Sequence, residues 1–252
     1  MGMRCLVFSD IHGRAESLDL LPEDEGLVMF CLGDVCAGGP EGAGRAIDWL
    51  RGRGVVCVSG THDRPVVDDG ALAWFGEMEE RLRREGRGNP GLLRRFQEDA
   101  LRLRRGLDGE QLEFISSMPE TRTVTCGGRV IQMIHDSLLA REDSTMSRIL
   151  NVEIARASFG HPSFVGDILL VGHSHVPLAY REWEEEVTET VFDGPGRVEL
   201  LEGRYILNPG SLQRLRSYPG YNERTRVFEG DDRVTYGILD LDEGYFEVKF
   251  VK

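Results

Sequence analysis

The first 63 residues alternate between short apolar runs and segments in which apolar residues have helical spacing. Three runs predict strands, and the two segments between them predict helices. The predicted strands are residues 4–8, 27–32 and 55–58, and the predicted helices are residues 14–21 and 41–52. Strands that alternate with helices are typical of parallel β-α-β units, so this part of the chain predicts an α/β fold.

Residues 71–117 have a helical pattern and are rich in Arg and Glu, so they predict a helical insertion. The helical pattern is broken at Gly86–Gly91 and again at Gly106–Gly109, and nine arginines lie within residues 81–105. Two interpretations stay open for this segment. It is either a solvated helical face with i,i+4 ion pairs, or a cap that helps to recognise an anionic substrate.

Beyond residue 119 the chain is rich in predicted strands. Gly127–Gly128 between two apolar runs is typical of a hairpin turn, and a second hairpin around residues 242–244 closes the chain. A helix is expected at residues 146–159 and a loop at residues 212–231. The other predicted strands are residues 167–171, 176–183, 188–192, 197–201 and 204–208. Neither an internal repeat nor a low-complexity linker divides the chain, so a single domain over residues 1–252 is expected.

Composition narrows the class of protein. The apolar fraction of 40% is enough for a full-sized core, and no run approaches the roughly 20 apolar residues that span a membrane. The net charge of −13 disfavours a long nucleic-acid partner, because such binding needs excess Lys and Arg. No signal-peptide pattern opens the chain, and the five cysteines form no CxxC pair, so reduced thiols are expected. These features predict a cytoplasmic protein without a membrane partner and leave its oligomeric state open.

Five apolar runs share one property: each is followed by one or two residues that can bind a metal. These residues are Asp10 and His12, Asp34, His62 and Asp63, His135, and His173 and His175. The carboxyl ends of parallel strands meet along one edge of a sheet, so these side chains are expected to converge there. In extended backbone, positions i and i+2 point to the same side. The pair Asp10 and His12, and the pair His173 and His175, would then each offer two ligands.

The mixture of carboxylates and imidazoles favours divalent transition metals, namely Mn²⁺, Fe, Zn²⁺ or Ni²⁺. One ion rarely needs four histidines and two aspartates, whereas two neighbouring ions that activate water for hydrolysis do. Each residue alone has a simpler explanation, since an Asp after a strand commonly caps a helix. The joint pattern over five strand ends instead predicts a site for two metals.

The order of these residues resembles the calcineurin-like metallophosphoesterase superfamily. The matching stretches are SDIHG (9–13), LGDV (32–35), SGTHD (59–63), IHDS (134–137) and VGHSHVP (171–177). NPGS at residues 208–211 is similar to the small bacterial and archaeal phosphodiesterase branch, the YfcE-like proteins. The resemblance implies a four-layer α/β/β/α sandwich of two mixed sheets that hydrolyses phosphoric esters.

The resemblance also implies a role for each matching residue. The first metal would be bound by Asp10, His12 and His175, the second by His135 and His173, with Asp34 as the bridge between them. His62 would face the scissile phosphate, where it would stabilise charge or protonate the leaving oxygen, and Asp63 would orient His62. A hydroxide between the metals would attack phosphorus in line.

Two positions depart from the family pattern. Thr61 stands where the family has an asparagine whose amide oxygen binds the second metal, and a threonine hydroxyl is a shorter and weaker neutral ligand. Direct binding, binding through water and a loosely held second metal all stay open. Asp136 replaces the glycine that follows His135 in the family. Arg214 and Arg216 follow NPGS, and either they reach substrate phosphate or they belong to a solvated loop.

These features together predict a metal-dependent phosphoesterase that acts on a small phosphorylated substrate, a diester or a monoester. The stretch GDVCAGGP lacks the Asp-Arg-Gly element of the Ser/Thr protein phosphatases, which favours a phosphodiesterase. Two alternatives stay open. Thr61 is compatible with a degenerate member that acts as a metal-dependent binding or scaffolding protein, and the Arg-rich helices are compatible with a nuclease.

Overall fold

The structure, a computed structural model, describes residues 3–24, 26–86, 90–139, 149, 151–213 and 233–252. The strands are β1 (Arg4–Phe8), β2 (Val28–Cys31), β3 (Val56–Cys57), β4 (Thr121–Cys126), β5 (Arg129–Ile134), β6 (Ile168–Leu170), β7 (Leu178–Trp183), β8 (Glu186–Val191), β9 (Gly196–Glu199), β10 (Arg204–Asn208), β11 (Val234–Asp240) and β12 (Tyr245–Val251). The α-helices are α1 (Pro40–Gly52), α2 (Arg64–Val67), α3 (Asp69–Glu85), α4 (Pro90–Gly106), α5 (Gly109–Ser117) and α6 (Val152–Phe159), and a 3-10 helix spans Ala15–Leu20. Within these ranges, none of the helices has the length and apolar character needed to cross a membrane.

The strands form two mixed sheets of six strands each. The first sheet has the order β3-β2-β1-β11-β12-β9, and the second has the order β4-β5-β6-β10-β7-β8. In the first, β1, β2 and β3 are parallel, and in the second, β5, β6 and β10 are parallel. The other pairings are antiparallel. Between β8 and β10 of the second sheet the chain crosses to the first sheet to form β9.

Strand β1 shows why the molecule has four layers. Its side chains alternate between the two faces of the first sheet. Leu6 and Phe8 pack under α1 and the insertion, whereas Cys5 and Val7 pack between the two sheets. On the far face of the second sheet, β6 and β10 pack against α6. The predicted α/β/β/α sandwich of two mixed sheets is therefore confirmed.

The helical insertion predicted at residues 71–117 is also confirmed, and it consists of α3, α4 and α5. Asp68 caps α3 by accepting hydrogen bonds from the N–H groups of Gly70 and Ala71, and Gly86 ends that helix in a left-handed conformation. Asp108 and Gln111 form a capping box at the start of α5. The glycines and short polar residues of the sequence thus set the ends of these helices.

Helix α6 begins later than the predicted helix at residues 146–159. Asn151 has extended backbone and accepts a hydrogen bond from the N–H of Ile154, so it caps a helix that starts at Val152. Residues 140–148 and 150 lie outside the described part of the chain, as does most of the loop predicted at residues 212–231. Arg214 and Arg216 fall in that loop and also lie outside the described residues.

Candidate metal centre

The five strand ends with metal-capable residues converge, but they belong to two sheets and not to one. Strands β1, β2 and β3 of the first sheet and β5 and β6 of the second all end beside the centre. The expectation of a single sheet edge is wrong, because the parallel strands of two facing sheets meet here. A direct contact joins the sheets, since Asp10 Oδ2 accepts a hydrogen bond from the backbone N–H of His173 at 3.1 Å.

The backbone at the candidate ligands is left-handed. Residues Asp10, His12, Asp34, His173 and His175 have φ between 48° and 61°. The expectation of extended backbone at the two i,i+2 pairs is therefore also wrong. Residues other than glycine rarely adopt this conformation unless their surroundings impose it, and such residues cluster at functional sites. Here the loops impose it on each other through backbone hydrogen bonds, from Asp10 N–H to the carbonyl of Gly33 at 3.0 Å and from His12 N–H to the carbonyl of Asp34 at 2.9 Å.

The candidate ligands fall into groups whose ligand atoms lie within 4.8 Å of one another. One group is Asp10, His12 and His175, another is Asp34, His135 and His173, and a third, which shares members with these, is His12, Asp34 and His62. The first two groups coincide with the predicted sets for the first and second metals. Asp34 also belongs to the group that contains His12, a position compatible with a bridging carboxylate.

Distances between these atoms match the spacing of ligands around one ion. His175 Nε2 lies 3.0 Å from Asp10 Oδ1, and His135 Nε2 lies 3.2 Å from Asp34 Oδ2. His12 Nε2 lies 3.3 Å from His175 Nε2. Two atoms about 2.1 Å from one ion at a tetrahedral angle would be about 3.4 Å apart. In the described ranges the buried Asp10 Oδ1 and His135 Nε2 have no polar neighbour that satisfies them apart from the other candidate ligands, so a cation suits both atoms.

Backbone groups orient two of the candidate ligands. His135 Nδ1 lies 2.7 Å from the carbonyl oxygen of Leu32 and donates to it, which leaves Nε2 free to act as a ligand. Asp34 Oδ1 accepts a hydrogen bond from the backbone N–H of His62 at 2.8 Å. Gly60 makes this approach of the loops possible, because a Cβ atom there would lie 2.2 Å from Asp34 Oδ1.

Burial and opposite charge act against each other on the ionisable groups. Burial alone would raise the pKa of Asp10, but the neighbouring histidines, His175 foremost, hold it well below its ordinary value. Burial likewise disfavours a charged His135, yet the carboxylate of Asp34 raises its pKa to about 10. The pKa of His12 is raised as well, so protons on His12 and His135 supply positive charge in the metal-free protein that metal ions would otherwise bring. Protons and metals therefore compete for the same nitrogens.

His62 lies half-buried at the edge of the centre. Burial lowers the pKa of its imidazole to about 4, although the Asp34 carboxylate acts in the opposite direction. The ring is therefore neutral near pH 7. Its ring packs edge to face against the rings of His12 and Phe96, with centroid distances of 5.0 and 4.6 Å.

Asp63 has a different contact from the one expected. Its buried carboxylate accepts hydrogen bonds from the backbone N–H groups of Cys36 and Gly60, both at 2.8 Å. Both oxygens are therefore used to join the loop after β2 to the loop after β3. Within the described chain the carboxylate bonds these two backbone groups and not the imidazole, so the role of orienting His62 stays a prediction that no observed contact supports.

Thr61 and Asp136 are the two departures from the family pattern. Thr61 is half-buried in the turn between β3 and α2, beside Gly60 and His62. Its assignment to the second metal stays a prediction. Asp136 Oδ1 accepts a hydrogen bond from the backbone N–H of Ser137 at 2.8 Å, so this carboxylate stabilises its own turn.

Sequence reasoning missed the contact that α4 makes with the centre. Besides Phe96, which touches His62, α4 donates hydrogen bonds from Arg102 to the carbonyl of Gly38 at 2.7 Å and from Arg104 to the carbonyl of Val66 at 2.6 Å. The available signal was an apolar stripe at helical spacing within the Arg-rich segment. Its members are Leu93, Phe96, Ala100 and Leu103. Ion pairs within one helix, such as Arg81 with Glu85 at 3.0 Å, are present too, and recognition of an anionic substrate by this segment stays a prediction.

The fold and the site together define an α/β/β/α sandwich with a candidate centre for two metals between its sheets. The model of the calcineurin-like phosphoesterase superfamily domain matches residues 3–243, so the chain belongs to this superfamily. The superfamily predicted from the motifs is thereby confirmed.

Three known proteins are similar to this chain over most of their length. An uncharacterized protein of Methanocaldococcus jannaschii is 24% identical over 251 residues, which cover 98% of this chain and 85% of the relative. The crystal structure of a metallophosphoesterase from Sphaerobacter thermophilus has a TM-score of 0.69 at 24% identity and covers 100% of this chain and 89% of that one. A hypothetical protein from Pyrococcus horikoshii OT3 has a TM-score of 0.60 at 17% identity, with 99% and 89% covered. These structures have the same fold as this chain.

Proposed function

We propose that this protein is a phosphoric ester hydrolase that requires divalent transition metals and acts on a small phosphorylated substrate. The observation that carries the proposal is the grouping of ligand atoms into two sets of three, each drawn from both sheets or from separate loops. An aspartate that caps a helix, or a histidine that packs in a core, does not need other ligand atoms so close to it. Membership of the superfamily supports hydrolysis of a phosphoric ester as the reaction.

The donor set suits two ions chosen from Mn²⁺, Fe, Zn²⁺ and Ni²⁺. The residues that would hold them are Asp10, His12 and His175 for one ion, His135 and His173 for the other, with Asp34 between the two and Thr61 as a further ligand. When bound, such ions would supply an activated water and neutralise charge on the phosphoryl oxygens. Two divalent cations outweigh the charges of Asp10 and Asp34, so the loaded centre would attract an anionic substrate although the whole chain carries −13.

His62 would contact the reacting phosphate through a hydrogen bond. Its imidazole is neutral near pH 7, because burial lowers its pKa to about 4, but a neutral imidazole still has one N–H to donate. This favours stabilisation of charge on a phosphoryl or leaving oxygen over transfer of a proton. Asp63 supports the reaction indirectly, since it joins the loops that carry Asp34 and His62.

We favour a phosphodiester as the substrate. The stretch GDVCAGGP lacks the Asp-Arg-Gly element of protein phosphatases, and α4 packs against His62 at the edge of the centre, which suits a small substrate better than a folded protein. The negative net charge disfavours long nucleic acid. A nuclease would instead bind single strands with an affinity that falls steeply as salt rises.

The test is hydrolysis by protein that is stripped with a chelator and reloaded with Mn²⁺, Ni²⁺ or Zn²⁺. Bis-p-nitrophenyl phosphate and p-nitrophenyl phosphate report diesterase and monoesterase activity. We expect about two metals per chain, and at least about 100-fold less activity in Asp34→Asn. His161→Ala is the matched control, because this sixth histidine lies outside the centre and its Nδ1 accepts a hydrogen bond from Ser163 N–H. Folded, metal-loaded protein that hydrolyses neither compound would refute the proposal.

Metal content separates the enzyme from the second candidate, a metal-dependent binding protein. Thr61 favours this alternative, since a hydroxyl is a weaker ligand than the amide of the family pattern. If elemental analysis finds one metal or none per chain, and no ester is hydrolysed, the result supports the binding protein. Two metals together with turnover would support the enzyme.

A further inference from the structure

We infer that Phe96 of α4 is a positioning residue for His62, so that the helical insertion sets the rate of the chemical step. The inference rests on the proposed hydrolase function and goes beyond the residues that the family motifs include.

A hydrogen bond fixes the backbone of His62, but none of the hydrogen bonds among the described residues fixes its ring. Its N–H donates to Asp34 Oδ1 at 2.8 Å, which places the residue beside the centre. The carboxylate of the next residue, Asp63, is fully used by the N–H groups of Cys36 and Gly60. Among the described residues, the imidazole makes ring contacts in place of a hydrogen bond, so packing must set its orientation.

Two rings provide that packing. His12 meets His62 at a centroid distance of 5.0 Å and an interplanar angle of 77°, and Phe96 meets it at 4.6 Å and 79°. Edge-to-face arrangements of this kind are favoured because the electropositive edge of one ring lies against the electronegative face of the other. His12 is itself a candidate metal ligand. Phe96 is therefore the contact that does not depend on the metal.

Phe96 is in turn held by the rest of the insertion. Its ring lies 6.1 Å from that of Phe75 in α3, which is only 2% exposed. Gln97 Nε2 donates to the carbonyl of Leu72 at 3.4 Å and so joins the two helices. Arg104 of α4 donates to the carbonyls of Val66 at 2.6 Å and Pro65 at 3.1 Å. Since Pro65 lies three residues after His62, α4 contacts both the ring and the segment that carries it.

The expected effect of Phe96→Leu is a slower chemical step with binding preserved. Leucine keeps the site apolar but removes the ring, so His62 samples orientations that do not face the phosphate. We expect kcat on bis-p-nitrophenyl phosphate to fall between about tenfold and 100-fold, with KM within about twofold and metal content unchanged. Phe96→Tyr keeps the ring and should restore most of kcat. Trp183→Leu is the control, because this ring lies at the end of β7, outside the insertion, and its kcat should match wild type.

A double-mutant cycle separates positioning from a general loss of structure. If Phe96 acts through His62, then Phe96→Leu changes kcat less than about twofold in the His62→Asn background. If it lowers kcat by the same factor in both backgrounds, the inference is overturned. Phe96→Met, which also lacks the ring, replaces Phe96→Leu in the cycle should the latter fail to fold.

Nuclear magnetic resonance supplies a measurement that is independent of turnover. In protein labelled with ¹⁵N-histidine and loaded with Zn²⁺, the ring resonances of His62 should be sharp in wild type and Phe96→Tyr and exchange-broadened in Phe96→Leu. Unchanged line widths would overturn the inference. If wild type hydrolyses no ester, the proposed function fails. If wild type turns over and Phe96→Leu equals it, the inference alone fails.

Discussion

Replacing Asp63 tests whether this carboxylate is a structural tie between loops or a partner of the catalytic imidazole. The side chain is fully buried and accepts one hydrogen bond from Cys36 N–H and one from Gly60 N–H, each at 2.8 Å. In Asp63→Ala both donors lose their acceptor. In Asp63→Asn the amide retains one acceptor and places its NH₂ group against the other donor.

The expected loss of stability follows from the charge and burial of these bonds. A hydrogen bond to a charged group contributes about 1.5–3 kcal/mol, and a buried donor left without a partner costs a similar amount. Burial and the nearby charge of Asp34 both raise the pKa of Asp63, so removing the carboxylate also relieves some unfavourable energy. We therefore expect Asp63→Ala to lower the free energy of unfolding by about 3 kcal/mol, and Asp63→Asn by about half of that.

Asp68→Ala is the matched control for this experiment. Asp68 also accepts two backbone hydrogen bonds, from Gly70 at 2.7 Å and Ala71 at 3.0 Å, but it lies exposed at the start of α3. Loss of such a helix cap costs about 1 kcal/mol. For a chain of this size, 1 kcal/mol corresponds to about 2–4 °C in Tm. The two alanine variants should thus differ by about 4–8 °C.

The assay is urea and thermal unfolding in the presence of a chelator, so that metal binding does not contribute. Activity alone does not decide the question, because the loops that Asp63 joins also carry Asp34 and His62. The reasoning is refuted if Asp63→Ala loses no more stability than Asp68→Ala while its activity disappears. That result would return Asp63 to the role of orienting His62.

Three other expectations concern the ligands and the glycine beside them. In the metal-free protein the Asp34 carboxylate outweighs burial and raises the pKa of His135 to about 10. Protonated His135 therefore stabilises the folded protein fully below pH about 6.5, and this stabilisation is lost as pH rises towards 10. Metal must displace that proton, so Zn²⁺ affinity in chelator competition should rise at least about tenfold per unit between pH 7 and 9, and a flat profile contradicts this. Thr61→Asn should raise the affinity for the second metal about tenfold in the same competition, and unchanged affinity would mean that Thr61 is no ligand. Gly60→Ala should lose about 1–3 kcal/mol and bind metal poorly, because its Cβ would lie 2.2 Å from Asp34 N, whereas Gly52→Ala, with open space around it, should unfold and bind metal like wild type.

The fold was predictable where local signals agreed. Apolar runs marked strands such as β1, and the pair Gly127–Gly128, both with positive φ, marked the turn between β4 and β5. The identity of the candidate ligands was predictable too, because Asp and His recur after successive strands. What failed was the geometry that joins them. The order of strands in two sheets depends on long-range pairing, such as β1 with β11, which no local pattern encodes.

Residue roles were harder to predict than residue identities. The adjacency of His62 and Asp63 in the chain favoured a partnership, but adjacent side chains point in different directions, and Asp63 bonds the backbone of a separate loop at Cys36. Phe96 was missed for the opposite reason, because 34 positions separate it from His62 and only the packing of α4 brings the rings together. Motifs record which groups recur, whereas contacts between distant segments decide what each group can do.

The left-handed backbone at five candidate ligands connects the assembly of the sheets to the chemistry of the site. Residues other than glycine in this conformation each cost of order 1 kcal/mol or more. That cost is sustained by contacts between segments, such as the hydrogen bond from His173 N–H to Asp10 Oδ2, which joins one sheet to the other. The ligand geometry therefore forms only when both sheets have packed. Because metal would bind this packed state and not the unfolded chain, each bound ion should stabilise the contact between the sheets and not one loop alone.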